Sequence, residues 1–135
     1  MIDFLGLRTQ GGGEVFLDIK ETGNAAGITD DWYELFLQVR NNHVDLSLAG
    51  EIITTSEIKM IIDNLKKTLN NEITETIYME TIEPFLKFEF NKEKLIIKIF
   101  FQYTEDYYCL NLDKYNIKKL YEYLSNLDFI KNNNI

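Results

Sequence analysis

The sequence predicts an α+β fold: a mainly antiparallel sheet with two helices packed on one of its faces. Three observations point there. Stretches in which apolar and polar residues alternate recur on both sides of residue 55. Two other stretches, one central and one near the C-terminus, switch to helical spacing. The links between alternating stretches are short, which favours antiparallel neighbours over long crossovers.

The first thirteen residues, ending in Gly11-Gly12-Gly13, are expected to be flexible. Val15, Leu17 and Ile19 then point one way, with Phe16 and Asp18 the other, as in a half-buried strand. Residues 21–31 carry Gly23, Asn24 and Gly27 and read as a loop. Residues 32–49 read as a hairpin. Tyr33, Leu35, Leu37 and Val39 make an apolar face, and Trp32, Glu34, Phe36, Gln38 and Arg40 a mixed one. Asn41-Asn42 supplies the turn, because asparagine tolerates positive φ, and Val44, Leu46 and Leu48 lead back.

The stretch TTSEIKMIIDNLKKTLN changes period. Ile58, Ile61, Ile62, Leu65 and Leu69 recur at helical spacing, and Ile62 and Leu65 are expected at the centre of the buried side. Thr54, Thr55 or Ser56 can cap its start, and Lys66 and Lys67 face the negative end of the helix dipole. Strands resume at about 75–83, 85–90, 95–103 and 107–112, with Pro84 marking an edge or a break. Asp113 then caps a closing helix lined by Ile117, Leu120, Tyr121, Leu124 and Leu127. The order is β-β-β-α-β-β-β-β-α, with a frayed tail over 130–135.

A chain of 135 residues, 45% hydrophobic and 13% aromatic, suits one folded domain over 1–135. Cys109 is the only cysteine, so no disulfide forms within the chain and a reducing compartment is expected. No basic segment precedes an apolar run at the start, and no run approaches ~18 apolar residues. A cytoplasmic protein without a signal peptide or membrane span is the expectation. The net charge is −8, which opposes contact with a phosphate backbone. Residues 1–51 hold nine acids and three bases, whereas the remainder holds thirteen acids and eleven bases. Negative charge is thus concentrated in the first third, where it serves solubility or steers a basic partner.

No catalytic device is expected. His43 is the only histidine and falls in the hairpin turn. Ser47, Ser56, Ser125 and Cys109 lack the sequence context of a nucleophile. Cys109 reads as a half-buried strand residue. Asp30, Asp31 and His43 could converge at the hairpin ends, but no calcium-loop or paired-histidine spacing accompanies them, so no metal is expected. The triple glycine is followed by no Lys-Ser or Lys-Thr and lacks dinucleotide-binding spacing, so no cofactor is expected.

The second sheet face carries Phe16, Asp18, Glu34, Phe36, Asp45, Lys87, Glu89, Phe100, Gln102 and Tyr107. Aromatics beside carboxylates suit a protein interface. Asp18, Asp30, Asp31, Glu34, Phe36 and Asp45 are the partner-binding residues expected. Asp30-Asp31 reads first as the polar start of a core strand and second as part of that surface.

Several stretches together resemble one family. DDWYELFLQV, the capped helix, IEPFLKFEF, KLIIKIFFQY and LNLDKYNIKKLYEYLSNL occur in that order over about residues 13–128. Asp31-Trp32, then Glu83-Pro84 followed by Leu86, Phe88 and Phe90, then Asp113 with Leu120 and Leu124 carry the likeness. The chain resembles the WapI-like family, bacterial immunity proteins paired with wall-associated polymorphic toxins. That resemblance implies a non-enzymatic protein that binds and occludes a cognate toxin domain, often a nuclease with a basic substrate face. The alternative is a non-enzymatic module binding a small molecule or a regulatory ligand between sheet and helices.

Overall fold

The structure, a computed structural model, describes residues 4–9, 12–21, 32–101 and 104–132. Its first half is an antiparallel meander of β1 (Leu5–Arg8), β2 (Glu14–Glu21), β3 (Trp32–Arg40) and β4 (Asp45–Thr54), in that spatial order. Alternation dictates its faces, because successive side chains of a strand point to opposite sides. Tyr33, Leu35, Leu37 and Val39 are buried on one side of β3, opposite Ile53, Gly50, Leu48 and Leu46 of β4. The register slips near the end of this pair. Glu34 faces Glu51 and Tyr33 faces Ile53, so Ile52 is an extra residue in β4. The bulge lets the consecutive Ile52 and Ile53 both be buried. Gly50, just before it, has φ +146°, a conformation that side chains rarely tolerate.

Helix α1 (Thr55–Leu69) follows β4 without a linker. Thr54 caps it: its hydroxyl accepts from the Glu57 N–H, and the Glu57 carboxylate accepts from the Thr54 N–H at 2.9 Å. Ile58, Ile61 and Leu65 are buried, with Thr68 beneath them donating to the Asn64 carbonyl. Ile62 is only half-buried, at the flank of that stripe, so the expected centre shifts to Ile61 and Leu65. Asn71, at φ 58°, turns the chain away in the left-handed conformation asparagine accepts.

A second antiparallel meander follows: β5 (Ile77–Glu80), β6 (Leu86–Phe90), β7 (Lys94–Phe100) and β8 (Tyr107–Asp113). Pro84 lies in the connection between β5 and β6, where its missing N–H costs no ladder bond. Asp113 caps α2 (Lys114–Ser125) by accepting from the Asn116 N–H at 2.9 Å, and the short α3 (Asp128–Asn132) closes the described chain. The expected order is present, with β1 and α3 added to it.

Patterning suggested one sheet, but the strands form two. Helix α1 begins where β4 ends and carries the chain away from the β4 edge, so β5 starts a separate ladder. The helices touch both: α1 meets β4 and β6, α2 meets β1, β7 and β8, and α1 packs on α2. The buried sides of both sheets and all three helices share one apolar cluster, in which Tyr33 of β3 stacks on Phe129 of α3 at 4.0 Å.

Candidate partner-binding face

The mixed residues of the sequence divide between two outward faces. On the first sheet, Asp18 of β2 lies directly opposite Phe36 of β3. Glu34 is two positions along the same strand, on the same side, and Asp45 lies across from Arg40 on β4. Four expected partner residues, Asp18, Glu34, Phe36 and Asp45, therefore share one face. Asp30 and Asp31 lie outside the described residues.

Aromatic surface is open here. Phe36 is 40% exposed and Phe4 50% exposed. Phe4 packs against Phe16 with ring centroids 6.3 Å apart. Together with Asp18, Gln38 and Arg40, these three rings line a shallow groove. Phe4 lies in the N-terminal stretch expected to be flexible, which gave it no face in advance. Gln38 was placed on the mixed face but not chosen; it donates to Asp45 at 3.1 Å.

Charges around the groove are only partly neutralised. Lys20 approaches Asp18 at 3.4 Å, Arg8 approaches Glu14 at 3.8 Å and Arg40 approaches Asp45 at 3.9 Å. Such solvent-exposed pairs are each worth about 0–1 kcal/mol. One oxygen of Asp18 is buried without a hydrogen bond. Glu34 and Glu51 stand directly opposite each other across β3 and β4, and like charges so placed destabilise a sheet.

The outward face of the second sheet is different. Lys98 meets Glu89 at 2.9 Å and lies 5.2 Å from the Tyr107 ring centre. Lys87 approaches Glu80 at 4.0 Å and the Phe100 ring at 5.0 Å. Phe100 and Tyr107 pack together at 5.0 Å. The hydrogen bond that Lys98 donates to Glu89 raises the Lys98 pKa above the usual lysine value, against an opposing effect of desolvation. Here each lysine is held by an acid and a ring of the same face. Gln102, expected on the mixed face, lies outside the described residues.

His43 is exposed in the β3–β4 turn, with its backbone N–H donated to the Asn41 side chain at 2.8 Å. Cys109, expected half-buried, is exposed. It lies opposite Lys98 on the uncovered side of β8, while its neighbours Leu110 and Leu112 take the buried positions. Among the described residues, no group of three His, Cys, Asp or Glu side chains could hold a metal ion. No described helix is long and apolar enough to cross a membrane.

The family model described as the immunity protein WapI-like family matches residues 6–127. No curated protein and no solved structure matches the chain. The matched span runs from β1 through α2 and takes in both sheets and both long helices. The chain belongs to the WapI-like family of immunity proteins.

Proposed function

We propose that this chain protects its cell by binding a cognate toxin domain and occluding it, through the outward face of its first sheet. One observation carries the choice of face. Asp18, Glu34, Phe36 and Asp45 lie on one outward face, where an aromatic groove runs past Asp18 and Phe36 and acids exceed bases, with Glu34 and Glu51 opposed. A partner that inserts a lysine or arginine between those two carboxylates relieves their repulsion on binding, so the like-charge pair favours the complex over the free protein. A basic surface that handles phosphates, as a nuclease has, fits that demand. On the second sheet, Lys87 and Lys98 are already matched to acids and rings of that face, and the lysines there suit a basic partner less.

Occlusion needs no chemistry from this chain, and its cytoplasmic site of action follows from the compartment in which an internalised toxin would work. The reading with a small ligand between sheet and helices gains no support from the groove, which is shallow and lies on the outward face.

The test is co-expression with the C-terminal domain of a wall-associated polymorphic toxin from the same genome. Wild type is expected to restore growth, and Glu34→Lys with Phe36→Asp to fail while remaining folded. Growth restored equally by that double variant assigns binding to another face. No rescue by wild type overturns the immunity reading for this pair.

A further inference from the structure

The two edges of the first sheet are not equivalent. Hydrogen bonding in an antiparallel pair alternates, so every second residue of an edge strand directs its N–H and C=O away from the sheet. The turn sets the phase: the Asn41 N–H donates to the Val44 carbonyl at 2.8 Å. Leu46, Leu48 and Gly50 therefore bond to β3, and Asp45, Ser47, Ala49 and Glu51 point their backbone groups outward. The same phase carried across the sheet places the Ile19 N–H and the Arg8 carbonyl on the opposite edge. Both are met there by α2: Ile19 donates to the Tyr123 hydroxyl at 3.1 Å, and Asn116 donates to the Arg8 carbonyl at 2.9 Å. Helix α2 thus meets backbone groups on the β1 side of the sheet. Among the described residues, nothing meets the outward backbone groups of Ser47 and Ala49 on β4.

This open edge is guarded only by the acids at its two ends, Asp45 and Glu51. It has no lysine and no proline, and its bulge comes only at Ile52, beyond the open part. Ser47 and Ala49 are small and exposed, and Leu46 and Leu48 on the other side are only half-buried. We infer that the β4 edge from Asp45 to Glu51 is a strand-addition site, onto which the cognate toxin adds an exposed strand of its own with basic residues at both ends and apolar residues between. This rests on the reading that the chain binds a toxin, and it names how. Backbone hydrogen bonds supply affinity in such a pairing, and side-chain matching supplies specificity. A strand alongside Asp45–Glu51 spans roughly 20 Å. Its basic residues lie beside Asp45 and Glu51 on the face that holds Phe36. Its apolar residues on the reverse side cover Leu46 and Leu48.

A second copy of this chain is the obvious rival occupant, and charge argues against it. Antiparallel self-pairing that uses all four outward residues sets Asp45 against Glu51 twice, and like charges so placed are destabilising. A basic strand turns both repulsions into attractions.

Ala49→Pro tests the site. It removes an outward N–H while sparing the bonds to β3, at an edge where proline is tolerated. Ala49→Ser keeps the N–H. With the toxin domain named above, Ala49→Pro is expected to weaken binding about 100-fold and Ala49→Ser less than about threefold, since only the former removes a backbone donor. Hydrogen exchange on the unmodified chain guards against a misfolded variant. The amides of Ser47 and Ala49 should exchange quickly in the free chain and slow at least about tenfold in the complex, while those of Leu46 and Leu48 are slow in both. If wild type binds and those amides do not slow, strand addition is overturned and the immunity reading stands. The same holds if Ala49→Pro binds as tightly as wild type. Slowing that depends on the concentration of the chain alone gives the edge to a second copy and also overturns the proposal. Absence of binding by wild type overturns the immunity reading and the strand addition with it.

Discussion

The carboxylate of Glu57, in the first turn of α1, accepts the backbone N–H of Ile82 at 2.6 Å. Its other oxygen accepts the N–H of Thr54 at 2.9 Å. One buried side chain therefore caps the central helix and ties it to the β5–β6 connection of the second sheet. Beside Ile82, the Thr81 hydroxyl donates to the Glu83 carbonyl, so that connection is held from both sides.

Glu57→Ala should therefore cost more than the loss of a cap alone: roughly 2–4 kcal/mol, against about 0.5–2 kcal/mol for Thr54→Ala. Glu57→Gln retains one acceptor oxygen and should fall between. Denaturant titrations of the three variants check the order. An alanine variant of Glu57 as stable as wild type would mean that the link between helix and second sheet carries no weight.

Burial separates two neighbours on α1. Leu65 is fully buried, and Leu65→Ala should cost about 2–5 kcal/mol. Ile62, half-buried at the flank, should cost only about 1–2 kcal/mol as alanine. Thermal unfolding of the pair distinguishes the true centre of the stripe from the one that spacing alone suggested.

His43→Ala and Cys109→Ser alter exposed residues. Each should leave stability within about 0.5 kcal/mol and protection against the toxin unchanged. Loss of protection by either folded variant would bring chemistry back into the function.

The Glu34–Glu51 pair makes stability and binding move in opposite directions. Glu51→Gln removes the repulsion while leaving Lys20 opposite Glu34, and should raise stability by about 0.2–1 kcal/mol. It should also slow association with the toxin domain and flatten its dependence on salt, because exposed charges are screened over about 8 Å at physiological ionic strength. Stability and association rates measured at two salt concentrations test both halves.

The Lys98–Glu89 pair gives a pH signature. The pKa of Lys98 is raised in the folded protein, chiefly by its hydrogen bond to Glu89. Its contribution is thus fully present below the usual lysine value near 10.5 and is lost as pH rises through the higher folded value. The difference in melting temperature between wild type and Lys98→Met should hold from pH 7 to 9 and shrink in stronger alkali.

Local pattern was enough for much of this protein. The faces of β2 and β3, the caps at Thr54 and Asp113 and the apolar stripes of α1 and α2 were legible, because period and capping depend on residues a few positions apart. The gathering of Asp18, Glu34, Phe36 and Asp45 on one face was legible for the same reason: once the hairpin register is given, alternation places them. Strand β1 was not, since the alternation of Leu5 and Leu7 with Gly6 and Arg8 is too short to signal a strand without β2 beside it.

What the sequence alone determined is which side of each strand and helix is apolar, and that net negative charge is concentrated in the first third. What only the tertiary structure decided is how those elements divide into two sheets and which edges stay open. On the β1 side of the sheet, the Ile19 N–H and the Arg8 carbonyl are met by Tyr123 and Asn116, which lie 104 and 108 residues along the chain from them. No local rule contains that pairing. It arises because α1 leads the chain away from β4 and α2 returns it to β1, so α2 meets outward backbone groups on that side of the sheet while, among the described residues, nothing meets those of Ser47 and Ala49 on the other.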